Sequence, residues 1–124
     1  MPEPYRDPYM DQIRAVIQVC EDTDGILIVD RDGIIRDHRI AMNYYWKAEE
    51  TVGRHIRELY PELDEESSTI LRALRTGRAI YDQRQEIVNS RGERVVLDAT
   101  TIPISVDGQV VGAVDCARFY VVGQ

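Results

Sequence analysis

Apolar residues recur at intervals of three and four through Met10, Ile13, Ile17 and Cys20, with Val16 beside them. That spacing predicts one amphipathic helix after an irregular, proline-rich lead-in. Asp7-Pro8 supplies its start, a side-chain acceptor followed by a proline pre-set for the first turn, and Gly25 supplies its end. The stripe needs a surface to cover, either the chain's own sheet or a second subunit. Ile26 to Val29 predicts a strand, Asp30-Arg31-Asp32-Gly33 a tight turn, and Ile34-Ile35 the start of a second strand. Residues 40 to 63 change character. Ala41, Met42, Tyr45, Trp46 and Ala48 predict a short helix broken at Val52-Gly53, and Ile56, Leu59 and Tyr60 another before Pro61. Asp64-Glu65-Glu66-Ser67 opens a longer helix, with Ile70, Leu71 and Leu74 inward and Gly77 at its end. Three strands follow, at 80–88, 94–105 and 109–122, separated by turns that end in Gly92 and Gly108. Alternation sets Leu97, Ala99 and Thr101 on one face and Val96, Asp98, Thr100 and Ile102 on the other. Helix, two strands, helical middle, three strands: the order predicts an α+β fold, a five-stranded sheet with short helices on one face.

Composition narrows the function classes. The 124 residues fit one domain, divided here into a lead-in and helix over 1–22 and a folded unit over 23–122. With 15 basic and 22 acidic side chains the net charge is −7, which disfavours nucleic acid as a direct partner because phosphate binding needs clustered cations. No apolar run approaches the ~20 residues of a membrane span, and the first 25 residues lack the pattern of a signal peptide. A cytoplasmic domain without membrane contact is the expectation. Cys20 and Cys116 form no C-x-x-C pair, so buried, reduced thiols are expected.

Candidate chemistry is sparse. His38, beside Arg36 and Arg39, reads as a solvated strand-end residue, and His55 as a helix-end residue or a cavity ligand. Asp98 and Asp115 fall on neighbouring strands and raise the alternative of a small α+β isomerase or hydrolase using one of them as base. No Ser/His/Asp set, Cys–His pair or H-E-x-x-H run completes a catalytic or metal site, so neither is assigned. The run from Glu62 to Glu66 reads as a loop and helix start.

Gly25 to Asp30 with Asp32-Gly33, Val52-Gly53-Arg54 with Leu59 and Pro61, Ala73 to Arg78, and Pro103-Ile104 followed by Asp107-Gly108 and Val111 to Val114 stand in a specific order. Together, over about residues 22–120, they resemble the PAS domain, in particular the N-terminal sensory PAS domains of sigma-54-dependent transcription activators. The resemblance implies a five-stranded antiparallel sheet, a sensory role in transcription regulation, and output domains outside this chain. Gly53 to Tyr60 aligns with the flavin-thiol motif of LOV-type PAS domains, but Ile56 occupies the thiol position and cannot form the adduct. Residues 64–77 contain no His, where haem-binding PAS domains commonly place a ligand. The cofactor is therefore unassigned. A small apolar or mixed ligand is expected between the helical middle and the sheet, lined by Ile26, Ile28, Trp46, His55, Ile56, Leu71, Leu74 and Leu97. Met10, Ile13, Ile17 and Cys20 are expected to carry a homodimer interface. The alternative is a ligand-free scaffold for protein–protein contact.

Overall fold

The structure, a computed structural model, describes residues 8–19, 23–40, 48–88 and 92–121. Helix α1 (Pro8–Val19) precedes strands β1 (Gly25–Asp30) and β2 (Ile35–Ile40). Three short helices follow, α2 (Ala48–Thr51), α3 (Ile56–Leu59) and α4 (Thr69–Thr76), and then β3 (Ile80–Val88), β4 (Arg94–Val106) and β5 (Gln109–Val121). All five strands form one antiparallel sheet in the order β2-β1-β5-β4-β3. The expected short helix from Ala41, which included Trp46, lies outside the described residues up to its end at α2.

Local chemistry accounts for the joints. Asp30 closes the β1–β2 turn: its Oδ1 accepts from the backbone N–H of Asp32 at 2.9 Å and of Ile34 at 3.1 Å. The same turn grips the helical middle. The Ile56 amide donates to Gly33 at 2.9 Å, the Ile35 amide to Arg54 at 2.9 Å, and the Gly53 amide to Ile35 at 2.8 Å. The acidic run does not begin a helix as the sequence predicts. Asp64 Oδ1 instead accepts from the amides of Glu66 and Ser67, both at 2.9 Å, and winds 64–67 into a turn. Ser68 then caps α4, its hydroxyl accepting from the Leu71 amide at 3.2 Å.

Period-two alternation divides the sheet into two apolar faces. Leu27 and Val29 of β1, Val95, Leu97 and Ala99 of β4, and Ala113 and Ala117 of β5 meet Ile56, Leu59 and Ile70 of α3 and α4. Ile28, Ile104, Val114 and Cys116 face the other way and are covered by Ile13 and Val16 of α1. The chain's own sheet is thus the surface that the helical stripe covers. Gln12 locks it in place, its side chain donating to the Ser105 carbonyl and accepting from the Ser105 amide at 3.0 Å. Ile13, expected at a dimer interface, is 5% exposed against this sheet. Cys20 and the side chains of Met10 and Ile17 lie outside the described residues. Cys116 is buried and disulfide-bonded, which corrects the expectation of a reduced thiol.

Candidate ligand cavity

The inner face bears a partly open cavity of about 40 Å³, counted as the space open to the centre of a water molecule. Leu27, Ile56, Leu63, Ile70, Leu97 and Phe119 give it an apolar wall, and His38, Ser68, Thr69, Gln85 and Asp115 place polar atoms among them. Sheet register generates the polar part. On β1, Leu27 pairs with His38 of β2 on one side and with Asp115 of β5 on the other, and Asp115 in turn pairs with Thr101 of β4. Directly paired residues share a face, so His38, Leu27, Asp115 and Thr101 form one row across four strands.

The two titratable members of this row are unusual. His38 is 4% exposed; its Nδ1 lies 3.0 Å from Thr51 Oγ1, and its Nε2 is buried without a hydrogen-bond partner among the described residues. Burial outweighs the neighbouring Asp37 carboxylate and pulls its pKa down to about 4, so the ring is neutral near pH 7. Asp115 keeps part of its surface open, yet protein surrounds it, and that open surface borders the cavity. Burial pushes its pKa up to about 6, against the hydrogen bond donated by Thr101 Oγ1 at 2.5 Å. Thr101 Oγ1 also lies 2.8 Å from Thr69 Oγ1, which joins the row to the first residue of α4.

The expected lining is met in part. Ile56 and Leu97 border the cavity, and Ile26 does so although alternation turns its side chain toward the outer cluster. Ile28 does not, because it stands one residue out of phase with Leu27 and packs under α1. Leu71 and Leu74 pack against the inner core away from the cavity lining. His55 caps α3, its Nδ1 accepting from the Arg57 amide at 3.1 Å, and Trp46 lies outside the described residues. His38 is the reverse case, a residue read as solvated that is buried in the site. Asp98 and Asp115 do not share a face: Asp98 pairs with Arg118 in the sheet and makes a two-pronged ion pair with Arg84, at 3.0 and 3.2 Å. Thr69, Thr101, Gln85 and Phe119 were not anticipated. The Asp-Gly turn alone did not hold the signal for His38. Next to the turn Val29 pairs with Ile35, a register that would set Leu27 opposite residue 37, and a β-bulge between Ile28 and Val29 shifts the pairing so that His38 stands there.

Comparison with known proteins agrees with this geometry. The profile described as PAS fold matches residues 19–118. Transcriptional activator RocR of Bacillus subtilis (strain 168) is 24% identical over 96 residues, 76% of this chain and 21% of that protein, so the chain spans about a fifth of the relative's length. A PAS domain from Colwellia psychrerythraea superposes with a TM-score of 0.65 at 19% identity, covering 89% of this chain and 98% of that one. A LOV protein from Rhodobacter sphaeroides gives 0.66 at 13% identity, covering 95% and 70%. A profile match over most of its length, on a five-stranded sheet in this order, shows that the chain belongs to the PAS fold family.

Proposed function

We propose that this domain senses a small molecule held in the inner cavity and that it serves as the regulatory part of a transcription activator. His38, a lining residue of the cavity whose buried Nε2 has no hydrogen-bond partner among the described residues, is the observation that carries this reading. An orphaned polar atom in a protein interior costs about 1–3 kcal/mol, a cost that a ligand able to hydrogen-bond would remove. Similarity to RocR supports the link to transcription, and the −7 charge leaves DNA contact to other parts of such a protein. Occupancy would act through the difference in affinity between two arrangements of α4 and the sheet, with Thr69 and Thr101 at the joint. Homodimerisation and a cytoplasmic location belong to the same proposal. Ile56 in the cavity wall offers no thiol for a flavin adduct of the LOV type.

The small size of the cavity favours a second reading, a packed scaffold for protein–protein contact. Native mass spectrometry of the purified chain, with a thermal-shift screen of metabolites, separates the two. A retained compound or a stabilising hit that His38→Phe abolishes supports the sensor. A screen that leaves wild-type and variant equally unmoved, with no retained mass, gives the scaffold.

A further inference from the structure

We propose that the cavity selects a small organic cation, a protonated amine or amidine of roughly five heavy atoms. Its charged nitrogen would sit on Asp115 and a second polar group on His38 Nε2, with Leu27 beneath its apolar middle. This rests on the reading of the cavity as a ligand site and adds the chemical class of what enters.

Size comes first. At about 10–15 Å³ per water on this measure, 40 Å³ holds roughly three waters, and three waters of liquid occupy about the volume of such a molecule. Length follows from the sheet. Strands lie about 4.8 Å apart, so the backbones bearing His38 and Asp115 stand roughly 10 Å apart on either side of β1. A molecule with a polar group at each end and a short hydrocarbon between them matches that row. Charge is the deciding argument. Among the described residues lining the cavity, three carry acidic or basic side chains besides the phenol of Tyr60: Asp115, His38 and Arg57. Arg57 is exposed at the rim, where solvent screens it, and His38 is neutral near pH 7. Asp115 is therefore the one buried charge facing a ligand, and among the described residues Thr101 is the one side chain hydrogen-bonded to it. An anion beside it would be repelled in a medium of low dielectric, whereas a cation would offset its burial. The hydroxyls can serve the ionised form: Thr101 Oγ1 lies within hydrogen-bonding reach of both Asp115 and Thr69, so when it donates to the carboxylate it can accept from Thr69 in turn.

The test is an NMR titration of the wild-type chain with three molecules of one skeleton: 3-amino-1-propanol, 1,3-propanediol and 3-hydroxypropionate. The amine is expected to shift the amides of Leu27, Thr101 and Asp115 and to bind about tenfold more tightly than the diol, the worth of one charge-assisted hydrogen bond. Asp115→Asn is expected to bring the amine down to the level of the diol. Amine affinity in the wild type is expected to rise with pH through about 6 and then level off, as Asp115 ionises. If Asp115→Asn does not fold, this profile still decides the matter. Equal or tighter binding of the diol or the acid at the same amides overturns the cation and leaves the cavity as a ligand site. No shift at those amides with any of the three removes both.

Discussion

Gly33 shows how much of this fold turns on single positions. Its φ of +79° lies in the left-handed region, and a Cβ there would come within 2.7 Å of His55 Nε2. His55 has little freedom to retreat, because its other ring nitrogen caps α3. Gly33→Ala should therefore cost about 1–2 kcal/mol for the backbone and about 1 kcal/mol more for the disturbed cap. His55→Ala should cost only the cap, and the double variant should fall short of the sum, because the clash disappears with the ring. Urea denaturation of the three proteins measures this, and strict additivity would show that the two residues do not touch. The consequence reaches the cavity, since Gly33 also accepts from the amide of Ile56, a wall residue.

At the scale of elements, α1 and the sheet make a testable pair. Ile13 is buried on Ile28, Ile104 and Val114, so Ile13→Ala should destabilise the chain by about 2–5 kcal/mol through the lost methyls and the cavity left behind. A denaturation midpoint unchanged by Ile13→Ala, with loss of a dimer in sedimentation, would instead place this residue at a subunit seam. The elements themselves were legible in the sequence. The three C-terminal strands begin and end within a residue or so of their expected bounds, because alternation and Gly-containing turns are local signals. The cavity was legible in part. Ile56 and Leu97 could be named from their elements alone, but His38 and Asp115 acquire their meaning from strands far away in sequence, through pairing with Leu27. Charged neighbours made residue 38 look solvated, although Arg36 and Arg39 belong to ion pairs at the exposed edge of β2. Ile28 was misplaced because an all-apolar strand, Ile26 to Val29, does not announce which of its faces turns inward.

For the molecule as a whole, His38 and Asp115 bias stability in opposite directions with pH. His38 is held down to about 4 when folded, so on acidification the unfolded chain takes up that proton first, near 6.5, and stability falls from there to about pH 4. Asp115 is pushed up to about 6, so the folded chain takes up its proton first; stability rises on acidification toward 3.8 and is lost as pH climbs through 6. Each contribution is on the order of 3 kcal/mol, and over the shared window they nearly cancel. Urea midpoints at pH 4.5 and 6.5 should separate them. Relative to wild type, Asp115→Asn should lose stability at the acid end and His38→Gln should gain it, and curves parallel to wild type in both variants would refute the assignment. Strand β5 carries a last consequence of alternation. Its residues 113, 115 and 117 face the inner layer, 115 and 117 at the cavity itself, while 114 and 116 face α1, like two interleaved channels on one tape. A change of parity by a single inserted residue would exchange them, sending Asp115 under the helix and Cys116 into the cavity. Point substitutions, by contrast, can rewrite one channel and leave the other unaltered, so what the domain recognises and how firmly its first helix is held can evolve separately on the same thirteen residues.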